Sequence, residues 1–240
     1  MHTSGENSKD FRGFSNLFAA ALNIIYPSKC LVCARVLHHG PGLYACDSCL
    51  PSFNFVNEKI FGDFSFDDSF SFFEYNEALR GIIHDIKFGK KAHKMVSLTK
   101  QALALGEDGL DFSGIDAVVA VPLHPNRLRD RGFNQAHITA KILAQRLGVP
   151  LECSLCERIV DNAPQSRTDR EGRRKNSENI FSLKNESIIY GKSFLLVDDI
   201  FTSGETLNSL ASVFKKAGAK RISCVTLAIS YFRGDSVIVD

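Results

Sequence analysis

Short apolar runs alternate with amphipathic segments along the chain from about residue 75. Three runs are wholly or mostly apolar, as strands buried on both faces are: AVVAV (117–121), FLLV (194–197) and ISCVTLAIS (222–230). Two segments repeat apolar residues at helical spacing and end near a glycine: 134–148 and 206–217. This alternation predicts an α/β fold whose parallel sheet is covered on both faces, with ligands at the carboxyl ends of its strands.

The amino-terminal third follows a different pattern. Eight of the nineteen Phe lie between residues 53 and 73, and in FGDFSFDDSFSFF they alternate with polar residues. A period of two favours an exposed-edge strand or a hairpin, and a hinge packed between two modules is the alternative. We therefore divide the chain into a flexible amino terminus (1–22), a cysteine-rich module (23–55), a Phe-rich linker or edge strand (56–74) and an α/β domain (75–240).

Composition and charge narrow the class of protein only slightly. The 240 residues are 44% hydrophobic and 23% charged with a net charge of +2, so local patches must decide whether nucleic acid binds. The apolar segment 17–27 is shorter than the roughly 20 residues of a membrane span and lacks the marks of a signal peptide. We expect an amphipathic helix there and a cytoplasmic protein. In a reducing compartment, clustered cysteines favour metal over disulfides.

Two CxxC pairs in the cysteine-rich module predict a zinc site. Cys30 and Cys33 are followed, after twelve intervening residues, by Cys46 and Cys49. Four thiolates from two tight turns complete a tetrahedral site with no open position, which is typical of structural zinc. His38 and His39, between the pairs, are interpreted as loop residues, although either could replace a cysteine.

The remaining three cysteines are not predicted to bind metal. Cys153 and Cys156 form a third CxxC pair, but a strand would place them on opposite faces. Cys224 lies in an apolar run and is interpreted as a core thiol.

The strand at 194–197 leads directly into a candidate ligand site. Asp198 and Asp199 are followed by the loop Thr202-Ser203-Gly204-Glu205-Thr206 and a predicted helix. Amides at a helix amino terminus bind phosphate, and carboxylates suit sugar hydroxyls or a bridging magnesium ion. Together they predict a ribose 5-phosphate ligand. The alternative is a helix cap preceded by two solvated acids.

LLVDDIFTSGET (195–206) resembles the phosphoribosyl diphosphate (PRPP) signature of the type I phosphoribosyltransferases. More narrowly, residues 22 to 230 resemble the ComF/GntX family of competence-associated proteins. The resemblance includes the four cysteines and the segments FEYNEALRGIIHDIKFGKK (73–91), VPLHPNRLRDRGFNQA (121–136) and 165–181. In the last segment the family spacing is matched by Gln165, Arg173, Asn176 and Phe181. Thr168 and Gly172 depart from it, within what resembles the mobile loop that closes over the diphosphate.

The resemblance implies a type I phosphoribosyltransferase fold with an amino-terminal zinc ribbon. It implies that Asp198 and Asp199 hold the ribose hydroxyls, directly or through magnesium, that 202–206 hold the 5-phosphate, and that 122–127 are the diphosphate loop. Candidates for contacting the diphosphate or DNA are Lys87, Pro122, Arg127, Arg131, Gln165 and Arg173. The implied reaction is displacement of diphosphate at C1 by a nitrogen nucleophile, with Asp199 as a possible proton acceptor.

Single-stranded DNA is the rival ligand. Cations concentrate in 80–94 and 165–176, and aromatics near the first cluster could stack on bases: Phe72, Phe73, Tyr75 and Phe88. The family resemblance implies a role in natural transformation, with a helicase-like ATPase as partner. The alternatives are a DNA-binding module with a vestigial sugar-phosphate site and a nucleobase-salvage phosphoribosyltransferase.

Overall fold

The computed structural model describes residues 27–37, 44–106, 112–161, 180–231 and 238–239. Several sequence predictions fall outside these ranges: the flexible terminus 1–22, the helix at 17–27 except for its last residue, His38, His39, Gln165, Thr168, Gly172, Arg173 and Asn176.

The described residues form nine strands and five α-helices. The strands are β1 (Phe55–Phe61), β2 (Asp68–Glu74), β3 (Ala117–Ala120), β4 (Leu151–Glu152), β5 (Cys156–Arg158), β6 (Phe181–Leu183), β7 (Ser193–Phe201), β8 (Arg221–Ile229) and β9 (Ile238–Val239). The helices are α1 (Glu77–Phe88), α2 (Ala92–Gly106), α3 (Pro125–Arg131), α4 (Gln135–Leu147) and α5 (Glu205–Lys216). None of these helices is long and apolar enough to cross a bilayer.

Seven strands make one mostly parallel sheet in the order β4-β3-β7-β8-β2-β1-β9. Strands β4, β3, β7, β8 and β2 run parallel, β1 is antiparallel to β2, and β9 is antiparallel to β1. Strands β5 and β6 form a separate antiparallel hairpin. The predicted α/β fold with a parallel sheet is confirmed, and the carboxyl ends of β3 and β7 lie side by side, where ligands bind in such sheets.

Alternate residues of β7 enter two different cores. Leu195 and Val197 belong to the cluster that contains buried residues of α1, α2 and α4. Phe194 and Leu196 belong to the cluster that contains buried residues of α5, β5 and β6. Because successive strand side chains point to opposite faces, the sheet separates two layers, called here the α1 layer and the α5 layer.

The Phe-rich segment is part of this sheet. β1 and β2 form the hairpin that period two predicts, but β2 is not an edge strand, since it pairs with β8 on its other side. Its five central residues are all buried. Phe72 and Phe73 are therefore core residues, and the prediction that they could stack on bases is wrong.

The cysteine-rich module packs on the α1 layer. Cys30, Leu31 and Leu37 share the hydrophobic cluster of α1 and α2. The backbone N–H of Tyr44 donates to Oε1 of Gln101 at 2.6 Å, and Gln101 lies on α2 with no exposed surface. The module is thus fixed to the domain by apolar packing and by a hydrogen bond to a buried amide.

Candidate functional site

Strand β7 extends through both aspartates. The sequence predicted a strand that ends at Val197, but the strand continues to Phe201 and pairs with β8 over its whole length. Asp198 and Asp199 are therefore strand residues at the carboxyl edge of the sheet rather than loop residues. Since neighbouring residues in a strand alternate, the two carboxylates leave the sheet toward different layers.

Asp199 faces the α1 layer and is paired with Lys87. Nζ of Lys87, in the last turn of α1, lies 2.6 Å from Oδ2 of Asp199, and the two side chains are 18% and 16% exposed. The structure thus joins two predicted site residues that are 112 positions apart in the sequence. The short distance and low exposure make this a well-formed ion pair at the edge of the sheet.

Asp198 faces the α5 layer. Burial and the neighbouring charge of Asp199 raise the pKa of Asp198 to about 7, against the backbone N–H of Asp199, which donates to Oδ1 at 2.8 Å, and the positive charges of Lys87 and Arg158. A further cation beside Asp198 would stabilise its carboxylate, because a nearby positive charge favours the ionised form.

Arg158, at the end of β5, is a site residue that the sequence did not predict. Burial lowers the pKa of its guanidinium, and the charge of Arg127 lowers it further, whereas Asp198 and Asp161 raise it. The guanidinium lies 5.7 Å from the ring centroid of Phe181 in β6, a cation–π contact. The β5–β6 hairpin therefore supplies a positive charge to the α5-layer side of the aspartate pair.

The loop predicted at 202–206 turns from β7 into α5, but the helix begins one residue earlier than predicted, at Glu205. Gly204 is the amino-terminal cap of α5 with φ +75°, a left-handed conformation that glycine adopts without strain. A side chain there would meet Phe201 and Phe64. Thr202 and Ser203 are exposed. The loop thus combines a tight turn, two available hydroxyls and the amide groups that open a helix.

The predicted diphosphate loop lies beside this site, after β3. Pro122 follows the strand, and α3 begins at Pro125 with His124 as its cap. Nδ1 of His124 accepts from the N–H of Asn126 at 3.3 Å. Arg131, in the last turn of α3, donates to Oε1 of Gln135 at 3.0 Å. The guanidinium of Arg131 is therefore directed toward α4.

Asp161 contacts the predicted diphosphate loop. Its Oδ2 accepts from Nδ2 of Asn126 at 2.9 Å and lies 3.2 Å from Nδ1 of His124, while its Oδ1 lies 3.5 Å from Nε of Arg127. The hydrogen bond from Asn126 and the charges of His124 and Arg127 hold the pKa of Asp161 below its usual range. Sequence reasoning missed this residue because only folding brings it to the loop.

The four cysteines of the amino-terminal module form a cluster. Their sulfur atoms all lie within 4.8 Å of one another, and Sγ of Cys33 is 3.8 Å from Sγ of Cys46. In a tetrahedral site with Zn–S bonds of about 2.3 Å, neighbouring sulfurs are about 3.8 Å apart. The four thiols therefore fit a zinc site.

The surroundings of this cluster shift the pKa values of two of its thiols in opposite directions. Burial opposes ionisation of Cys30, but backbone N–H groups of Cys33, Cys46 and Val32 lower its pKa to about 6. The contact with Cys46 and burial raise the pKa of Cys49 to about 12. Thiolates this close together repel one another, and a bound divalent cation stabilises their ionised form.

The third CxxC pair is divided between surface and core. Cys153 is exposed, with Sγ 3.8 Å from Nδ1 of His137, whereas Cys156 is buried and its pKa is raised to about 12 by burial. Cys224 is a buried core thiol, as predicted. Among the described residues, the amino-terminal four are the cluster able to hold a metal ion.

Known structures of phosphoribosyltransferases resemble the chain. The glutamine PRPP amidotransferase of Bacillus subtilis aligns with a TM-score of 0.36 and 18% identity over 57% of this chain and 26% of that one. A hypoxanthine phosphoribosyltransferase from Staphylococcus aureus aligns with a TM-score of 0.36 and 16% identity over 61% of this chain and 71% of that one.

Sequence comparisons identify a domain family and several relatives. Residues 134–237 match the phosphoribosyl transferase domain family. Competence protein F of Haemophilus influenzae is 34% identical over 47% of this chain and 50% of its own length. Competence protein ComFC of Bacillus subtilis is 36% identical over 46% and 43%. The DNA utilization protein YhgH of Salmonella typhimurium is 27% identical over 62% and 66%, so the chain spans about two thirds or less of these relatives. The chain is a homologue of these ComF-type competence and DNA utilization proteins, with a phosphoribosyl transferase domain and a cysteine cluster that fits a zinc ribbon.

Proposed function

We propose that the chain binds PRPP with magnesium at the carboxyl edge of its sheet and acts in the cytosolic handling of single-stranded DNA during natural transformation. In this proposal the cysteine cluster holds a structural zinc ion. The cellular role is taken from the names of the relatives, which are competence and DNA utilization proteins. A helicase-like ATPase partner stays a prediction from the family resemblance.

The end of β7 is the observation that supports PRPP as the ligand. Two carboxylates stand at the carboxyl edge of the sheet, and a glycine-capped turn into α5 follows within a few residues. A ribose 5-phosphate presents hydroxyls and a phosphate on one small molecule, which are the two groups that carboxylates and helix-terminal amides bind. Asp198 and Asp199 would hold the hydroxyls, and 202–206 would hold the phosphate through backbone amides and the hydroxyls of Thr202 and Ser203.

A magnesium ion would be held by the same carboxylates through the ribose. When bound with the sugar, the ion supplies positive charge to the diphosphate and thereby stabilises it as a leaving group. The environment of Asp198 supports such a cation, since burial and Asp199 both penalise its charge. The carboxylate pair also satisfies the preference of magnesium for oxygen ligands.

The diphosphate would be bound by protein cations as well. Lys87 reaches the site from α1, Arg127 from α3 and Arg158 from β5. These three belong to different elements and converge on the aspartate pair and the loop after β3. If a base acts as acceptor, this positive field favours departure of diphosphate from C1, and Asp199 can take the proton once Lys87 moves to the ligand.

Isothermal titration with PRPP and magnesium tests the proposal. The chain should bind, and the double variant Asp198→Asn, Asp199→Asn should lose most of the affinity. Glu186→Gln, an exposed acid at the opposite end of β7, is the matched control and should bind like the wild type. Absence of binding by the wild type, or unchanged binding by the double variant, would reject the proposal. Diphosphate release with a panel of bases then tests for transfer.

A second candidate ligand, single-stranded DNA, is favoured by an exposed aromatic pair. Phe88 is 71% exposed, and its ring centroid lies 4.8 Å from that of His84 on the same face of α1. Lys87 lies between them in sequence but is paired with Asp199, so the exposed cation nearest to Phe88 in sequence is Lys90. Exposed rings beside cations are the arrangement on which bases of single strands stack. Tyr75, which precedes α1, was also predicted to stack on bases, and its side chain is half-buried.

Fluorescence anisotropy with an oligothymidine probe tests this candidate. Phe88→Ala should weaken binding by about fivefold or more, since stacking contributes roughly 1–3 kcal/mol per base. Tyr190→Ala is the control, because Tyr190 is 78% exposed but precedes β7 at the opposite edge of the sheet. Equal DNA binding by the wild type, Phe88→Ala and Tyr190→Ala would show that the Phe88 ring does not contact the DNA. Loss of both aspartates should leave DNA binding intact if the two ligands use separate sites.

A further inference from the structure

The diphosphate loop is already in contact with an anion of the chain itself. We propose that the Asp161 carboxylate is a built-in competitor for diphosphate, which occupies the loop after β3 until the ligand displaces it. The inference rests on the proposed function, because it concerns regulation of the same site. It assigns to Asp161 a role in setting the affinity for the ligand.

The contacts of Asp161 are those that a phosphate oxygen would make. One carboxylate oxygen accepts from the side-chain amide of Asn126 at 2.9 Å, and the other faces Nε of Arg127 at 3.5 Å. His124 adds a third contact at 3.2 Å. All three partners belong to the loop and first turn of α3, and guanidinium and amide donors are common ligands of both carboxylates and phosphates.

Asp161 reaches this loop from a separate part of the fold. It follows the β5 strand by three residues, and 34 positions separate it from Arg127. The side chain is about one-third exposed, so a soluble anion can reach the same donors. The hydrogen bond from Asn126 keeps the carboxyl ionised, which supports competition between like charges.

Nδ1 of His124 connects this contact to the start of α3. It lies 3.2 Å from Asp161 and 3.3 Å from the backbone nitrogen of Asn126. A single ring nitrogen either accepts from the amide, which caps the helix, or donates to the carboxylate, so the two bonds exclude each other. Removal of Asp161 therefore leaves the helix cap available and removes one negatively charged partner from Arg127 and from Nδ2 of Asn126.

Titration calorimetry with inorganic diphosphate tests the inference on the full zinc-loaded chain. Asp161→Asn should bind diphosphate about fivefold more tightly than the wild type, the upper range for an exposed ion pair. The control is Glu157→Gln, which removes the same charge four residues away on β5, where Glu157 pairs with Lys184 at 2.8 Å. Its affinity should stay within about twofold of the wild type, because this exposed pair lies outside the diphosphate loop.

A double-variant cycle identifies the loop as the site of competition. In an Arg127→Gln background, Asp161→Asn should give a smaller gain in diphosphate affinity, since one shared partner is gone. Thermal melting of each variant verifies that it is folded. Equal or weaker diphosphate binding by Asp161→Asn, including no binding in either protein, would overturn the inference. Failure of PRPP to bind would reject the proposed function alone, provided that the diphosphate gain is still observed.

Discussion

Replacement of Gly204 by alanine should cost stability for two reasons that can be measured separately. The residue has φ +75°, and a left-handed conformation costs an L-residue with a Cβ roughly 1–2 kcal/mol. The new Cβ would also lie 2.7 Å from Cζ of Phe201 and 2.9 Å from Cε1 of Phe64. Phe201 is buried, so the backbone must shift, and such overpacking typically costs about 1–3 kcal/mol.

The matched control is Gly148→Ala. Gly148 caps the end of α4 with φ +68°, but no atom lies within 4 Å of its virtual Cβ. Gly148→Ala therefore measures conformational strain alone, about 1–2 kcal/mol, while Gly204→Ala should cost about 2–5 kcal/mol. Urea unfolding followed by far-ultraviolet circular dichroism gives both free energies from the shift in midpoint.

A third variant isolates the ring contact. Phe64→Leu should make Gly204→Ala less costly than it is in the wild-type background, because one of the two close rings is removed. Equal free-energy costs for Gly204→Ala and Gly148→Ala would exclude overpacking at Gly204, as would a difference between them that Phe64→Leu leaves unchanged. Loss of PRPP binding in Gly204→Ala alone would agree with the role proposed for the loop.

Three further predictions concern charge and metal. Lys87→Met should lower the free energy of unfolding by about 1–3 kcal/mol by leaving Asp199 without its partner, and adding Asp199→Asn should recover part of this loss. Zinc removal by a chelator should lower the main melting temperature, because Cys30 shares a core with α1 and α2, and unchanged melting would contradict this coupling. Hydrogen bonds from Lys94 and Lys91 lower the pKa of Asp85 to about 2, so its contribution, at most about 1 kcal/mol for an exposed group, is present above about pH 4 and lost toward pH 2. Unfolding of Asp85→Asn and wild type should converge over that range.

Hydrophobic periodicity identifies the elements whose side chains keep the same pattern of burial along their whole length. The apolar run at 117–121 and the helical spacing at 134–148 correspond to β3 and α4. The β7 strand was predicted too short because two aspartates look like a loop, whereas pairing with β8 keeps them extended. The edge position assigned to the Phe-rich segment failed for a similar reason, since its partner β8 is about 155 residues away.

The site was predictable only where its residues lie in one continuous stretch. Asp198 and the loop 202–206 can be identified from the local sequence pattern. Arg158 and Asp161 do not, because they follow a three-residue strand without periodicity and reach the site only through the fold. Lys87 was suggested by family resemblance as a cation, but its pairing with Asp199 depends on how α1 packs against the sheet.

The alternation of Asp198 and Asp199 along β7 has a consequence for tolerance to slippage. A one-residue shift in strand register exchanges the faces of all side chains, so a single acid would be transferred to the wrong side. With two consecutive acids, the shift only exchanges which of them faces each layer. Two adjacent carboxylates are thus the shortest sequence by which one strand presents negative charge on both of its faces. This arrangement has an energetic cost, since the charge of Asp199 adds to burial, the larger cause, in raising the pKa of Asp198.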